Sequence, residues 1–185
     1  MELLNSKDIH LVEKEMELSG TSKDFFEKVI EFHLDYDGDV SPVRVIATFY
    51  RNSDCALDVL PMTSSRETSL PVPSYDEQIA MLYRVINICK EKYGVSQFIH
   101  ILISLDCMGD LSADVVEKRD RFLAAGKDAD NAYCMAIEDS RLVSDLKLLF
   151  PEDDISSCLD IPLNSQRMYA EFRLERKSFW SRVFA

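Results

Sequence analysis

Ile30, Phe32, Leu34 and Tyr36 alternate with Glu31, His33, Asp35 and Asp37, a period of two that predicts a half-buried strand over about 28–36. Val43 to Tyr50 is rich in β-branched and aromatic residues and predicts a second strand. Cys55, Leu57 and Val59 then alternate with Ala56, Asp58 and Leu60, and Asn52-Ser53 joins this third run to the second as a tight hairpin. Asp37-Gly38-Asp39 carries the residues that a turn between the first two strands needs. The first third of the chain therefore reads as an antiparallel meander. Ahead of it, Thr21 or Ser22 caps a short helix carrying Phe25, Phe26 and Val29, while residues 7–18 fit helix and strand equally.

The period changes after the Ser/Thr/Pro-rich stretch from Met62 to Pro73, which reads as a loop. Ser74 with Glu77 three residues later forms a capping-box signature, Ile79, Leu82, Val85, Ile86 and Cys89 recur at helical spacing, and Gly94 ends the pattern. A helix is predicted over about 75–93. The apolar run Phe98 to Leu105 predicts a central strand buried on both faces. Val115, Val116, Arg119, Phe122 and Leu123 predict a helix that Gly126 ends, and another is predicted to run from Asp128 or Asp130 towards Phe150. For the tail, alternation at Met168, Ala170, Phe172 and Leu174 favours a strand over 167–175, followed by a short helix. The expected class is α+β: an antiparallel or mixed sheet built from the N-terminal meander, with about four helices packed on it.

Composition narrows this to one domain. The 185 residues can bury a continuous core, and no repeat or compositional break divides 1–185. No apolar run approaches the ~20 residues of a membrane span, and the N-terminus lacks the pattern of a secretory signal. The five cysteines, Cys55, Cys89, Cys107, Cys134 and Cys158, show no Cys-x-x-Cys pair, so thiols in a reducing cytoplasm are expected. The formal charge of −12 argues against nucleic-acid and membrane partners. Between Gln166 and Ala185 the balance reverses, with Arg167, Arg173, Arg176, Lys177 and Arg182 against Glu171 and Glu175, so the negative field belongs to the remainder.

Candidate chemistry is sparse. Asp35-Tyr36-Asp37-Gly38 resembles the Asp-x-Asp-Gly signature of haloacid-dehalogenase-like phosphatases. That resemblance implies Asp35 as nucleophile, Asp37 as acid/base, Ser104 as the serine closing a buried strand and Asp153-Asp154 as magnesium ligands. The strand before it is half polar, and Asp39 replaces the Thr or Val that follows the glycine in that family. The segment is therefore read as a hairpin turn. The spacing Asp35, Asp37, Asp39 also opens like a calcium loop, but Val40 stands where the glycine is required and Ile46 where the closing Glu is. Cys107 follows a strand end, as nucleophiles do, yet Asp106 and Asp110 beside it oppose a thiolate. His10, His33 and His100 have no metal-ligand spacing; His100 reads as a hydrogen-bonded core residue and His33 as lying on the polar face of its strand. No phosphate loop, dinucleotide fingerprint, serine elbow or zinc motif is present, and no cofactor or metal is expected.

The distinctive feature is clustered acidity, at Asp35/Asp37/Asp39, Asp106/Asp110/Asp114 and Glu152/Asp153/Asp154. This suggests a non-enzymatic protein that binds a basic partner, most concretely an immunity-type inhibitor of a nuclease toxin, with Asp35, Asp37, Asp39, Asp106, Asp110 and Asp114 as contacts. The alternatives are an acidic chaperone or adaptor of a basic effector, and a small magnesium-dependent hydrolase using Asp35 and Asp37.

Overall fold

The alternating runs at the start of the chain pair as successive antiparallel neighbours. They are β1 (Ile9–Met16), β2 (Phe26–Tyr36), β3 (Asp39–Tyr50) and β4 (Asp54–Pro61). The computed structural model of the chain describes residues 9–20, 22–36, 39–61, 73–158 and 168–177. Residues 7–18, ambiguous in sequence, supply β1. The helix before β2 is a single turn, α1 (Ser22–Phe25), and Phe26 and Val29 belong to the strand instead. Phe26 packs edge-on against Tyr50 across the β2–β3 pair at 5.3 Å between ring centroids, a cross-strand contact that outweighs one more helical turn. Tyr36 pairs with Asp39, so only residues 37 and 38 link β2 to β3, as a tight hairpin requires. β3 begins earlier than its apolar pattern suggests and includes Pro42. The β2 register jumps from His33↔Arg44 to Asp35↔Val40, and Pro42, which has no N–H to donate, falls in that irregularity.

After β4 the chain crosses through α2 (Tyr75–Glu91) and returns as β5 (Gln97–Ser104), parallel to β4. The capping box is in place. Glu77 N–H bonds to Ser74 Oγ, and Ser74 N–H donates to Glu77 Oε2 at 2.7 Å. At the other end Gly94 takes φ +69°, and Val95 N–H bonds to the Cys89 carbonyl. Next come α3 (Leu111–Ala124), α4 (Ala129–Glu138) and α5 (Arg141–Leu149), then β6 (Asp153–Cys158) and β7 (Tyr169–Arg176). The run from 128 to 150 is thus two helices rather than one. Ser140 is extended, at φ −82° and ψ 156°, and its hydroxyl donates to the Ile137 carbonyl at 2.6 Å, ending the first helix and starting the second. The expected helix after the last strand, like the loop over 62–72, lies outside the described residues.

The seven strands form one mixed sheet in the order β1-β2-β3-β4-β5-β7-β6, with five α-helices among the described residues, an α+β architecture. β7 slots antiparallel between β5 and β6. One face carries the core. Ile30, Phe32, Val45, Ala47, Leu57, Val59, Ile101, Ile103, Ala170 and Phe172 meet Met81, Leu82, Val85 and Ile86 of α2, with Val115, Ile137, Leu142 and Leu146 from the later helices. The opposite face is half open, which overturns the expectation of a two-sided buried β5. The register slips between Cys55↔Phe98 and Ala56↔His100, so that His100 and Leu102 point away from the helices and are only half-buried. Among the described residues no helix is long and apolar enough to cross a membrane.

Candidate functional site

The two acidic segments that dominate the sequence converge on one end of the sheet. β2 runs towards Tyr36 and β3 starts at Asp39, while the parallel pair β4 and β5 ends at Pro61 and Ser104 on that same side. Asp35 and Asp39 are therefore placed near the strand ends that lead into Asp106 and Asp110. Val43 pairs with Pro61, so Asp39 stands four residues, roughly 13 Å, beyond the paired end of β4, on the same side of the sheet as the Asp106–Asp110 turn. Asp37 lies outside the described residues.

Gly109 holds the turn after β5 in place. It sits at φ +58°, and a Cβ there would meet Tyr75 N at 3.0 Å and the Pro73 carbonyl oxygen at 3.1 Å, so the 105–110 turn lies directly on the start of α2. Asp76 and Glu77 in the first turn of α2 thereby join the same end, as do Asp110 at the start of α3 and Asp114 in its first turn. Acidic side chains are favourable at these helix N-termini, which accounts for part of the clustering. Asp106 and Asp110 are exposed, and Asp110 makes no side-chain cap bond. Asp114 pairs with Lys118 at 3.0 Å. Behind the acids, Tyr75 donates to Asp145 Oδ2 at 2.7 Å while the Arg141 guanidinium lies 4.1 Å over its ring, clamping α2 to α5. Tyr133 donates to the Tyr169 carbonyl at 2.8 Å, and burial and the nearby Asp106 charge push its phenol upward.

The opposite end of the sheet mixes charges. Lys92 pairs with Glu13 at 2.6 Å, Arg176 lies 3.9 Å from Asp153, and Lys177 donates to the Pro151 carbonyl. Asp153 and Asp154 open β6 at this end, across from Arg176 and Glu175, a strand length away from Asp35. Asp153 and Asp154 thus lie at the far end of the sheet from Asp35 and Ser104. Among the described residues no group of three His, Cys, Asp or Glu side chains is placed to hold a metal ion.

Cys107 is buried, and its thiol donates to the Ser104 carbonyl at 2.9 Å, an orientation that serves the turn rather than an incoming electrophile. Cys55 and Cys89 are buried and Cys134 is half-buried, none of them in a disulfide. Contact with Cys89, together with burial, drives the Cys55 thiol far upward, so it stays protonated.

A second constellation, invisible as a motif, occupies the half-open face. Asp58 on β4 faces Leu102 on β5, and Leu102 faces Glu171 on β7. Along β5, His100 and Ser104 stand on either side of Leu102 on the same face. His100 Nε2 lies 2.7 Å from Glu171 Oε1. His100 is therefore hydrogen-bonded as expected, but on an accessible face rather than in the core, its side chain 28% exposed. Ser104 is fully buried, and its hydroxyl has no hydrogen-bond partner. Further along, Arg44 lies 3.7 Å from Glu31, while His33 Nδ1 and Arg44 Nε are buried without partners. His10 lies in β1, and its side chain is not among those described. Burial raises the Asp58 carboxyl, His100 pulls it down and Glu171 pushes it up again.

A carboxylate raised by burial costs stability once it ionises. Because the folded-state value lies above the unfolded one, the protonated form's advantage is complete below about pH 3.9 and is lost as pH rises through the folded value. Asp58→Asn should therefore melt with the wild type near pH 3.5 and above it at pH 7, by thermal unfolding at both pH values. A variant less stable at pH 7 would show that the carboxylate is compensated in the fold.

No protein-family model matches the chain, and no curated protein or solved structure matches it significantly.

Proposed function

We propose that the chain is a non-enzymatic binding protein for a basic partner, of the kind that neutralises a nuclease toxin. The acidic end of the sheet is its contact surface. The observation that carries this reading is topological. Asp35 and Asp39 from the β2–β3 hairpin and Asp106, Asp110 and Asp114 from the β5–α3 turn are far apart in sequence and gather at one end. Lys118 meets Asp114 and Arg141 meets Asp76 at this end as well, so the acids that carry its polarity are the exposed Asp106 and Asp110, whereas at the other end Lys92 meets Glu13 and Arg176 lies near Asp153. Such polarity orients an approaching cationic protein and raises its association rate, the advantage an inhibitor of a basic enzyme needs. The scaffold suits this role, because the acids sit on strand ends and helix starts braced by Gly109 and by the Tyr75–Asp145–Arg141 clamp.

The test begins with the basic protein captured from native lysate at low salt and released as salt rises. Its affinity is then measured for Asp106→Lys/Asp110→Lys and for Glu17→Lys/Glu91→Lys, which makes the same charge change at the opposite end. The first variant should bind roughly ten- to hundredfold more weakly at low ionic strength, with a flatter salt dependence, and the second within about twofold of wild type. Equal loss in both would mean that net charge alone matters, and the contact surface proposed here would be abandoned.

A further inference from the structure

We propose that the half-open sheet face around Leu102 is a guanidinium subsite, in which Asp58 and Glu171 bracket an arginine side chain supplied by a bound protein. It rests on the binding-protein reading only for the origin of that arginine, since the residues differ from those of the acidic end.

Three observations converge on this face. Asp58 and Glu171 flank Leu102 in one register row, so their backbones are two strand spacings apart, roughly 10 Å, with an apolar floor between them. That separation is too wide for a single ion, and no metal-holding group of three occurs among the described residues. It suits a flat cation whose N–H groups point outward from both edges of its plane, with each carboxylate accepting from one side. Second, Ser104 lies one step further along β5 on the same face, fully buried, with a hydroxyl that no protein group engages. Native proteins leave few such groups unpartnered, which marks the floor beside Leu102 as more polar than the fold itself uses. Third, two of the cations on the face already have partners. Arg44 faces Glu31 and His100 leans on Glu171, while Arg173, opposite His100 and two residues from Glu171, is exposed and is a further cation on this face. The charges that bear on Asp58 are His100 and Glu171, which leaves two carboxylates sharing one imidazole.

A lysine would satisfy one carboxylate at a time, whereas a guanidinium spans both, so discrimination between the two cations is part of the inference. The probes are N-acetyl-arginine amide, N-acetyl-lysine amide and urea, titrated into the full chain and followed by NMR at the His100 imidazole and the backbone amides of β4, β5 and β7. The arginine probe should give saturable shifts centred on Leu102 in the millimolar range, the lysine probe should bind at least roughly fivefold more weakly, and urea should not saturate. Asp58→Asn and Glu171→Gln are near-isosteric and should each weaken the arginine probe roughly tenfold, the loss of one charge-assisted hydrogen bond. Shifts that fail to saturate, that spread evenly over the acidic surface, or that survive both substitutions would overturn the subsite. Asp106→Lys/Asp110→Lys should leave this titration unchanged, so failure of the subsite and failure of the acidic contact surface are read separately.

Discussion

Truncating Phe172 to alanine is expected to cost roughly 3–5 kcal/mol, which for a chain of this length lowers the melting temperature by roughly 6–20 °C. Phe172 is fully buried on β7, the strand that joins β5 to β6, and it sits opposite Ile101 in the core layer. It also underlies an open groove of about 400 Å³ lined by Val143, Lys147 and Ile155. Removing the ring strips the core layer of its contacts with Ile101 and the helices, a loss that the surrounding packed side chains offset only in part. Denaturant unfolding should report a shifted midpoint with an unchanged slope, and Phe172→Leu should retain most of the stability. A loss below about 1.5 kcal/mol would show that the β6–β7 ribbon packs loosely on the rest of the sheet.

Gly109→Ala should be costly for a different reason, and Gly126→Ala is its control. Both glycines have positive φ, +58° and +85°, so alanine meets the same backbone penalty of about 1 kcal/mol at each. Only at Gly109 does the new methyl group press on backbone, at 3.0 Å from Tyr75 N, whereas nothing lies within 4 Å at Gly126. Expected losses are about 2–4 kcal/mol at position 109 and about 1 kcal/mol at 126, read from parallel denaturation curves. Because Gly109 lies between Asp106 and Asp110, the first substitution should also weaken capture of the basic partner, and the second should not. Equal losses at the two positions would mean that the turn can move away from α2.

Much of the architecture was legible because it is written locally. The alternation at Ile30–Phe32 and at Val43–Phe49 and the Ser74–Glu77 cap each need only near neighbours, and all three appear where the pattern places them. The errors arose where a distant contact decides. Phe26 looks helical until Tyr50 is placed across from it, and β5 looks buried on both faces because isoleucine and leucine outnumber His100 and Ser104 in its run. The acidic clusters were legible as residues, and their meeting at one end was not, because that depends on β4 and β5 being parallel. Asp58 and Glu171 were visible only as members of an alternation and of a charge balance, not as a site. Each is one charge in an alternating run, and only the adjacency of β4, β5 and β7 makes a pair of them. The available signal was a carboxylate facing a histidine-bearing strand on each side, which no linear motif records.

The place of β7 in the sheet has a consequence for how the molecule is made. A ribosome releases the meander, α2 and β5 first, and these can assemble as they emerge. β6 cannot join them on arrival, because its one neighbour among the described strands, β7, is the last of these to be synthesised. Until then β5 keeps an unpaired hydrogen-bonding edge flanked by Phe98, Ile101 and Ile103, a template for pairing with another nascent chain. Closure of the fold therefore waits on its final strand, and that interval is when a chaperone would matter most.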